Sequence, residues 1–497
     1  MAITQDPTTS ARTFQSTSPA TGEVVGTFPV DGPEQVAAAV ERAREAARWW
    51  GGLGFAGRER RLLALKGLLA RRAEEICDLI HLENGKPHDD AFIEVLLAVE
   101  HLDWAARKAA RVLRPRRVAP TLLARNLAAW IEYRPLGVVA VVGPWNYPLF
   151  TPVGSTGYAL AAGNAVVLKP SEHTPAVGRW LADAVAEVVP EQPVLQVITG
   201  FGETGAALCR AAVDKVAFTG SPATGRKVMA ACAERLTPVL LELGGKDAMI
   251  VDDDANLDAA ARAAVWGGIA NAGQTCIAIE RVYVVDAVHD RFVDKVAARA
   301  KGLRAGPEAD ADIGPITMPG QLEVIGRHLE DALSRGARPV VGGPGAVHPP
   351  YADPVVLVDV PEDALIMREE TFGPVLPIVR VRDADEALER ANSSPYGLGS
   401  AVFGRRGARR LTSSLRAGMT SVNSVQMFAS VPALPFGGVG ESGFGRIHGE
   451  AGLRELTYAK AAVRPRFRLP LDLTSFERPA RTAAILARLT RLRHGRR

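Results

Sequence analysis

Four cysteines in 497 residues, Cys77, Cys209, Cys232 and Cys276, are scattered without paired or metal-ligand spacing. This excludes a disulfide framework and a cysteine-held zinc site, and it fits free thiols in a reducing cytoplasm. No metal site is expected. No apolar run reaches the ~18 residues that cross a bilayer. The opening Met1-Ala2-Ile3-Thr4-Gln5-Asp6 has neither the basic nor the apolar region of a secretory signal, so a cytoplasmic location is expected. Low-complexity tracts and tandem repeats are also missing. Acids are absent from the last stretch: Arg478 to Arg497 holds seven arginines and no acid. Taking those seven from the net charge of +4 leaves −3 for the rest, so the positive balance makes no case for a nucleic-acid-binding body.

What is present is ordinary for a globular protein: 47% apolar and 23% charged residues, in a chain long enough for two or more domains. Gln35 to Trp50, Arg58 to Leu82 and Asp89 to Val112 carry apolar residues at helical spacing. Short apolar runs then alternate with helix-like segments. Val138–Val142, Ala165–Leu168, Val194–Ile198, Lys215–Phe218 and Val239–Leu241 read as buried strands. Pro148–Ala162, Pro175–Val189, Glu203–Ala212 and Ala223–Arg235 lie between them. The alternation predicts an α/β fold with a doubly wound, mostly parallel sheet, which binds ligands at the carboxyl ends of its strands. A second α/β pattern runs from about Ala248 to Asn423, with strand candidates Met249–Val251, Arg281–Val285, Val355–Val358, Val375–Val381 and Ala401–Phe403.

Two residues carry the chemistry. Cys276 ends Asn271-Ala272-Gly273-Gln274-Thr275-Cys276, and Glu242 lies in Leu241-Glu242-Leu243-Gly244-Gly245-Lys246. Both sit among glycines, where backbone can approach a ligand closely. Together they offer a nucleophile and a base. An isolated cysteine is more often a buried small hydrophobe, and a strand-end carboxylate is often paired with a lysine such as Lys246. A third segment, Gly220-Ser221-Pro222-Ala223-Thr224-Gly225, follows a strand and opens a helix, as a pyrophosphate cradle does. Gly438-Val439-Gly440-Glu441-Ser442-Gly443 matches a dinucleotide fingerprint literally but lacks the preceding buried strand. It reads as a mobile loop near the active-site mouth.

These motifs resemble the aldehyde dehydrogenase superfamily over nearly the whole chain. Further matching blocks are Pro144-Trp145-Asn146-Tyr147-Pro148, Lys169-Pro170-Ser171-Glu172, Phe218-Thr219-Gly220-Ser221, Glu369-Glu370-Thr371-Phe372-Gly373-Pro374 and Pro435-Phe436-Gly437-Gly438. The stretch from Asn271 to Val285 is most similar to bacterial semialdehyde and general aldehyde dehydrogenases. The resemblance implies that Cys276 is the nucleophile, Glu242 the general base and Asn146 an oxyanion donor. It implies a nicotinamide cofactor held by Trp145, Lys169, Glu172, Gly220, Ser221, Gly225, Glu370 and Phe372. Glu172 favours NAD, with NADP as the alternative, because a carboxylate accepts from a ribose hydroxyl and repels a 2′-phosphate. The implied domains are a Rossmann-like cofactor domain (1–117 and 134–246), a catalytic domain (247–434) and an oligomerisation flap (118–133 and 450–467). A basic extension (468–497) follows them.

By family position the substrate tunnel should be lined by Tyr147, Phe150, Val425, Met427 and Phe428. Gly154 stands where some relatives specific for succinic semialdehyde carry arginine. An apolar tunnel suggests a medium aliphatic or aromatic aldehyde such as hexanal or benzaldehyde, with succinic semialdehyde as the alternative. Retained Glu242 argues against acyl transfer to coenzyme A. Intact Cys276, Glu242 and Asn146 argue against a non-catalytic binding protein on the same fold. The expected assembly is a homodimer or homotetramer. In the tail, Ile485, Leu486, Leu489 and Leu492 fall at helical spacing among arginines. This suits either peripheral membrane contact or, more simply, a solvated or disordered end.

Overall fold

A computed structural model of the chain describes residues 3–5, 12–308, 310–467 and 476–495. Residues 12–112 and 135–457 belong to one compact unit that holds both large sheets. Four helices open it after an antiparallel hairpin of Arg12–Thr17 and Val24–Pro29: α1 (Pro33–Gly52), α2 (Gly54–Arg71), α3 (Ala73–Asn84) and α4 (His88–Val112). The sequence predicts a single helix across Arg58 to Leu82, but it breaks at Arg72, which leaves the helical region with φ −105° and ψ 26°. The break re-aims α3. Its Glu83 becomes buried and accepts hydrogen bonds from the backbone N–H groups of Ala176 (2.9 Å) and Val177 (3.0 Å). These are orphan donors in the first turn of a later helix, Pro175–Val188.

The first sheet contains β1 (Val138–Val142), β2 (Ala165–Lys169), β3 (Leu195–Val197), β4 (Lys215–Gly220) and β5 (Val239–Leu243). Their spatial order is β3-β2-β1-β4-β5, all parallel. This is a doubly wound order, with its crevice between β1 and β4, beyond their carboxyl ends. Helices α5 (Phe150–Ala162), α6 (Pro175–Val188), α7 (Gly202–Arg210) and α8 (Pro222–Ala233) connect the strands. The supposed mobile loop is a bound edge instead. Gly443–Phe444 pairs antiparallel with β5, placing Gly443 opposite Glu242. Ser442 pins it by donating to the Gly244 carbonyl (2.7 Å) and accepting from the Gly397 N–H (3.0 Å).

The second sheet runs through β6 (Asp247–Val251), β7 (Ile279–Val285), β8 (Arg338–Val341), β9 (Val355–Val358), β10 (Val375–Val381), β11 (Ser400–Phe403) and β12 (Ser421–Val422). Its order is β8-β9-β10-β7-β6-β11-β12, parallel except for the β8–β9 pair. Helix α9 (Leu257–Ile269) packs into the same apolar core.

The described residues among 113–134, 458–467 and 476–495 form the other compact unit. It carries a three-stranded sheet in the order Thr457–Pro465, Leu127–Pro135, Arg116–Val118, and a helix, Thr482–His494. Helix Gly449–Glu455 lies in the first unit, so residues 450–455 are not part of this sheet. Ile485, Leu489 and Leu492 of the terminal helix are exposed. Residues 468–475, Arg496 and Arg497 of the basic extension lie outside the described residues, as do Met1, Ala2 and Asp6. Among the described residues no helix is long and apolar enough to cross a membrane.

Candidate active site

Cys276 follows a backbone conformation that side chains resist. After α9 ends, Asn271 (φ 52°), Ala272 (φ 56°) and Gly273 (φ 71°) are all left-handed. For a residue other than glycine this costs roughly 1–3 kcal/mol each. Glycine is obligatory at 273, where a Cβ would overlap the backbone of Gly373. The turn is held by its own amides. The Asn271 side chain donates to the carbonyls of Gln274 and Asn146 (3.2 Å each), and the Gln274 side chain donates to the Asn271 carbonyl (3.1 Å). Gln274 Oε1 accepts from the Thr317 N–H (2.9 Å). Cys276 keeps part of its surface open, whereas Cys77, Cys209 and Cys232 are buried.

Asn146 arrives from the loop after β1. One N–H of its side-chain amide donates to the Gln274 carbonyl at 2.9 Å, two residues before Cys276. The other N–H is a spare donor beside the thiol loop. Beneath it lies a device the sequence did not reveal: Lys86 and Glu94 form a wholly buried ion pair (2.6 Å). Lys86 Nζ also donates to the Asn146 carbonyl (2.8 Å), and Glu94 Oε1 accepts from the N–H groups of Leu149 (2.7 Å) and Phe150 (3.0 Å). The pair thus ties both ends of the Asn146 loop to α3–α4.

Glu242, on β5, is buried and does not pair with Lys246. Lys246 pairs with Glu280, which in turn accepts from the N–H groups of Thr371 (2.8 Å) and Phe372 (3.0 Å). Burial raises the Glu242 carboxyl to about 8, against the pull of Arg446 and the Gly438 N–H; Asp247 adds to the rise. Burial likewise pushes the Cys276 thiol well above its ordinary value, and the carboxylates of Glu242, Glu370 and Asp247 reinforce it. Both groups are therefore mostly protonated at neutral pH.

Three cavities converge here. A narrow apolar one of about 110 Å³ and a cleft of about 600 Å³ share Thr219, Glu242 and Cys276 in their walls. The cleft also takes in Trp145, Asn146, Gly220, Ser221, Glu370 and Phe372. Trp145 and Phe372 meet edge to face at 5.5 Å, and Glu370 Oε1 accepts from the Gly245 N–H (2.9 Å). Burial raises the Glu370 carboxyl to about 8, with Glu280 adding to it. The cleft continues, through Pro144, Trp145, Thr219, Gly220 and Ser221, into a third cavity of about 820 Å³ walled by Lys169 and Glu172. Lys169 Nζ lies 3.8 Å from Glu172. At the centre of this double cleft opens the N-terminus of α8, where the Ser221 hydroxyl accepts from the Thr224 N–H (3.3 Å). Gly225 lines neither cleft: a Cβ there would meet Leu243 at 2.8 Å, so it serves close packing of α8 on β5. The donor set suits a dinucleotide: a lysine–carboxylate pair at one end, a helix N-terminus in the middle, and an aromatic pair with a carboxylate beside Cys276.

The narrow cavity is walled by Tyr147, Phe150 and Met427, three of the five residues that the family resemblance implies. Val425 and Phe428 are not in its wall; Val425 packs against α9 at Gly267, and Phe428 against Phe436. Gly154 is also not in the wall, because the His448 ring fills its place, and a Cβ at 154 would meet His448 Nε2 at 2.5 Å. Sequence reasoning missed Ile93, Leu97, Trp266, Phe436 and His448. Among the described residues no lysine or arginine lines this cavity; its ionisable groups are Asp90, Glu242, Cys276, Tyr147 and His448. Burial, then the neighbouring His101, holds His448 well below its ordinary value, so it is neutral.

Comparison with known proteins agrees with this architecture. Residues 6–462 match the Aldehyde dehydrogenase family. The chain is 39% identical to 4,4'-diapolycopene aldehyde oxidase of Methylomonas sp over 464 residues, 93% of this chain and 87% of that protein. It is 36% identical to glutarate-semialdehyde dehydrogenase of Pseudomonas aeruginosa, covering 90% of this chain and 93% of that one. Among solved structures, NADP-dependent glyceraldehyde-3-phosphate dehydrogenase from Bacillus halodurans, complexed with NADP, superposes with a TM-score of 0.87 at 33% identity. That match covers 92% of this chain and 96% of the other. The chain belongs to the aldehyde dehydrogenase family and is an NAD(P)-dependent oxidoreductase of aldehydes.

Proposed function

We propose that the protein oxidises apolar aldehydes to carboxylic acids through a covalent intermediate on Cys276. The observation that carries this reading is the shared wall: Cys276 and Glu242 face the apolar cavity and the dinucleotide-sized cleft at once. A carbonyl entering from one side can meet a hydride acceptor from the other. When bound, the nicotinamide accepts the hydride. The protein does the rest.

The Cys276 thiol gives its proton to water and its sulfur bonds the carbonyl carbon. The resulting oxyanion is held by the spare Asn146 amide N–H and the Cys276 backbone N–H. Loss of hydride from that carbon leaves a thioester. Glu242, ionised, takes a proton from water, the hydroxide attacks the thioester carbon, and the Cys276 thiolate leaves as the acid forms. Asn146 is kept in place by Gln274 and by the buried Lys86–Glu94 pair. Glu172 beside Lys169 supports NAD over NADP, since a second anion there meets the carboxylate.

Medium aliphatic or aromatic aldehydes suit the cavity better than succinic or glutaric semialdehyde. A substrate carboxylate finds no cation among the described wall residues, and Asp90 at the wall repels it. The test has two arms. Cys276→Ala should abolish turnover of hexanal and benzaldehyde while cofactor still quenches tryptophan fluorescence; residual turnover above a few per cent sinks the covalent route. A kcat/KM ranking with a semialdehyde above hexanal sinks the substrate assignment alone.

A further inference from the structure

Three apolar side chains belong at once to the wall of the narrow cavity and to the protein surface: Ile93 on α4, Trp266 on α9, and Met427. They are 43%, 46% and 51% exposed. The passage that ends at Cys276 therefore opens through an apolar rim. The rim continues outward along α4, where Phe92 (53%) and Leu96 (51%) lie one turn apart on the face that carries Ile93 and the wall residue Leu97. Beyond Ser430, another wall residue, Val431 is exposed too. Single exposed apolar residues are commonplace, but several side by side on one face around a cavity mouth mark a binding surface.

We infer that this collar binds the distal part of a lipophilic chain whose aldehyde end reaches Cys276, so that preference among aliphatic aldehydes rises with chain length beyond the medium range. The inference rests on the proposed aldehyde oxidation and extends it outward. Two features select a substrate chain over a protein as the occupant. The collar is continuous with the cavity through residues common to both, so a protein seated on it would seal the path to Cys276. The enclosed space, about 110 Å³, is small, so any chain beyond a short one must emerge onto the rim.

A methylene moved fully from water to an apolar setting gains about fourfold in affinity, and one laid on an open surface about twofold. From hexanal to dodecanal, kcat/KM should therefore rise more than tenfold. The double variant Phe92→Ser/Leu96→Ser, altered at exposed positions outside the cavity wall, should return the dodecanal-to-hexanal ratio toward one, with hexanal turnover and the thermal melt reporting intact folding. A wild-type ratio at or below one overturns the inference, as does a variant that slows both aldehydes equally. Binding of dodecanoate and hexanoate by calorimetry, below micelle-forming concentration, reads the collar without turnover. It should show the same gain and its loss in the variant; equal affinities overturn the collar. Failure of both aldehydes to reduce cofactor while dodecanoate still binds more tightly overturns the proposed reaction and leaves the collar standing.

Discussion

Glu242 offers the sharpest test, because its environment fixes the pH at which it can act. Its carboxyl is raised to about 8 by burial. Only the ionised form removes a proton from water, and that form exists above the pKa. About one-tenth is ionised at pH 7, half at pH 8 and nine-tenths at pH 9. Hydrolysis of the thioester should therefore accelerate roughly tenfold across that interval. The Cys276 thiol titrates higher still, so steady-state rates mix two groups. The clean assay forms the acyl-enzyme first, jumps the pH, and follows decay of the adduct by intact mass. Glu242→Gln should slow that decay by roughly 10²–10⁴-fold and flatten its pH profile. Stability gives a second readout. A buried carboxyl whose pKa is raised on folding contributes stability fully below its ordinary value of 4.5, and that contribution is lost as pH rises through about 8. The loss is at most about 5 kcal/mol, so Glu242→Gln should gain melting temperature on the wild type between pH 5 and pH 9. Decay independent of pH from 6 to 9, or an unslowed Gln variant, would refute Glu242 as the base.

Three other outcomes follow from named contacts. Asn146→Ala should lower kcat by 10²–10³-fold, typical of losing one oxyanion donor, with a smaller change in KM; equal kcat with raised KM would reassign it to binding. Lys86→Met leaves Glu94 charged and unpaired in the interior, so denaturant unfolding should lose about 3–5 kcal/mol, while the double change Lys86→Met/Glu94→Gln recovers part of it. Gly154→Arg should destabilise the fold rather than create a semialdehyde site, because the new side chain begins inside the His448 ring; improved succinic semialdehyde turnover in a well-folded variant would contradict this.

Much of the sheet architecture was legible because buried parallel strands read as unbroken apolar runs. Val138–Val142 is of this kind. The opening hairpin was not, since Arg12–Thr17 has one apolar residue, Phe14, to mark its buried face. Arg338–Val341, an edge strand, hid behind Pro339, which lacks a ladder donor and so weakens the strand signal. At the site, Cys276 and Glu242 were singled out by the glycine-containing motifs they share with the aldehyde dehydrogenase family, and Gly273 shows why a glycine is needed there: another backbone passes where its side chain would be. Lys86 and Glu94 were not, because two opposite charges near a helix start look like a solvated face. The cavity wall was only partly legible. Ile93, Trp266 and His448 stand on elements far apart in sequence and converge only on folding, and Gly154, placed by family position, is occupied from across the cavity by His448.

The two residues Gly443 and Phe444 have a consequence for solubility. Without them β5 would end the first sheet as a bare edge, its backbone groups ready to pair with a second molecule. A segment this short covers Leu241 and Glu242 alone, so the guard against strand-to-strand aggregation and the lining around the buried carboxylate are the same piece of chain. Variants that loosen it to widen the pocket should precipitate before they gain activity.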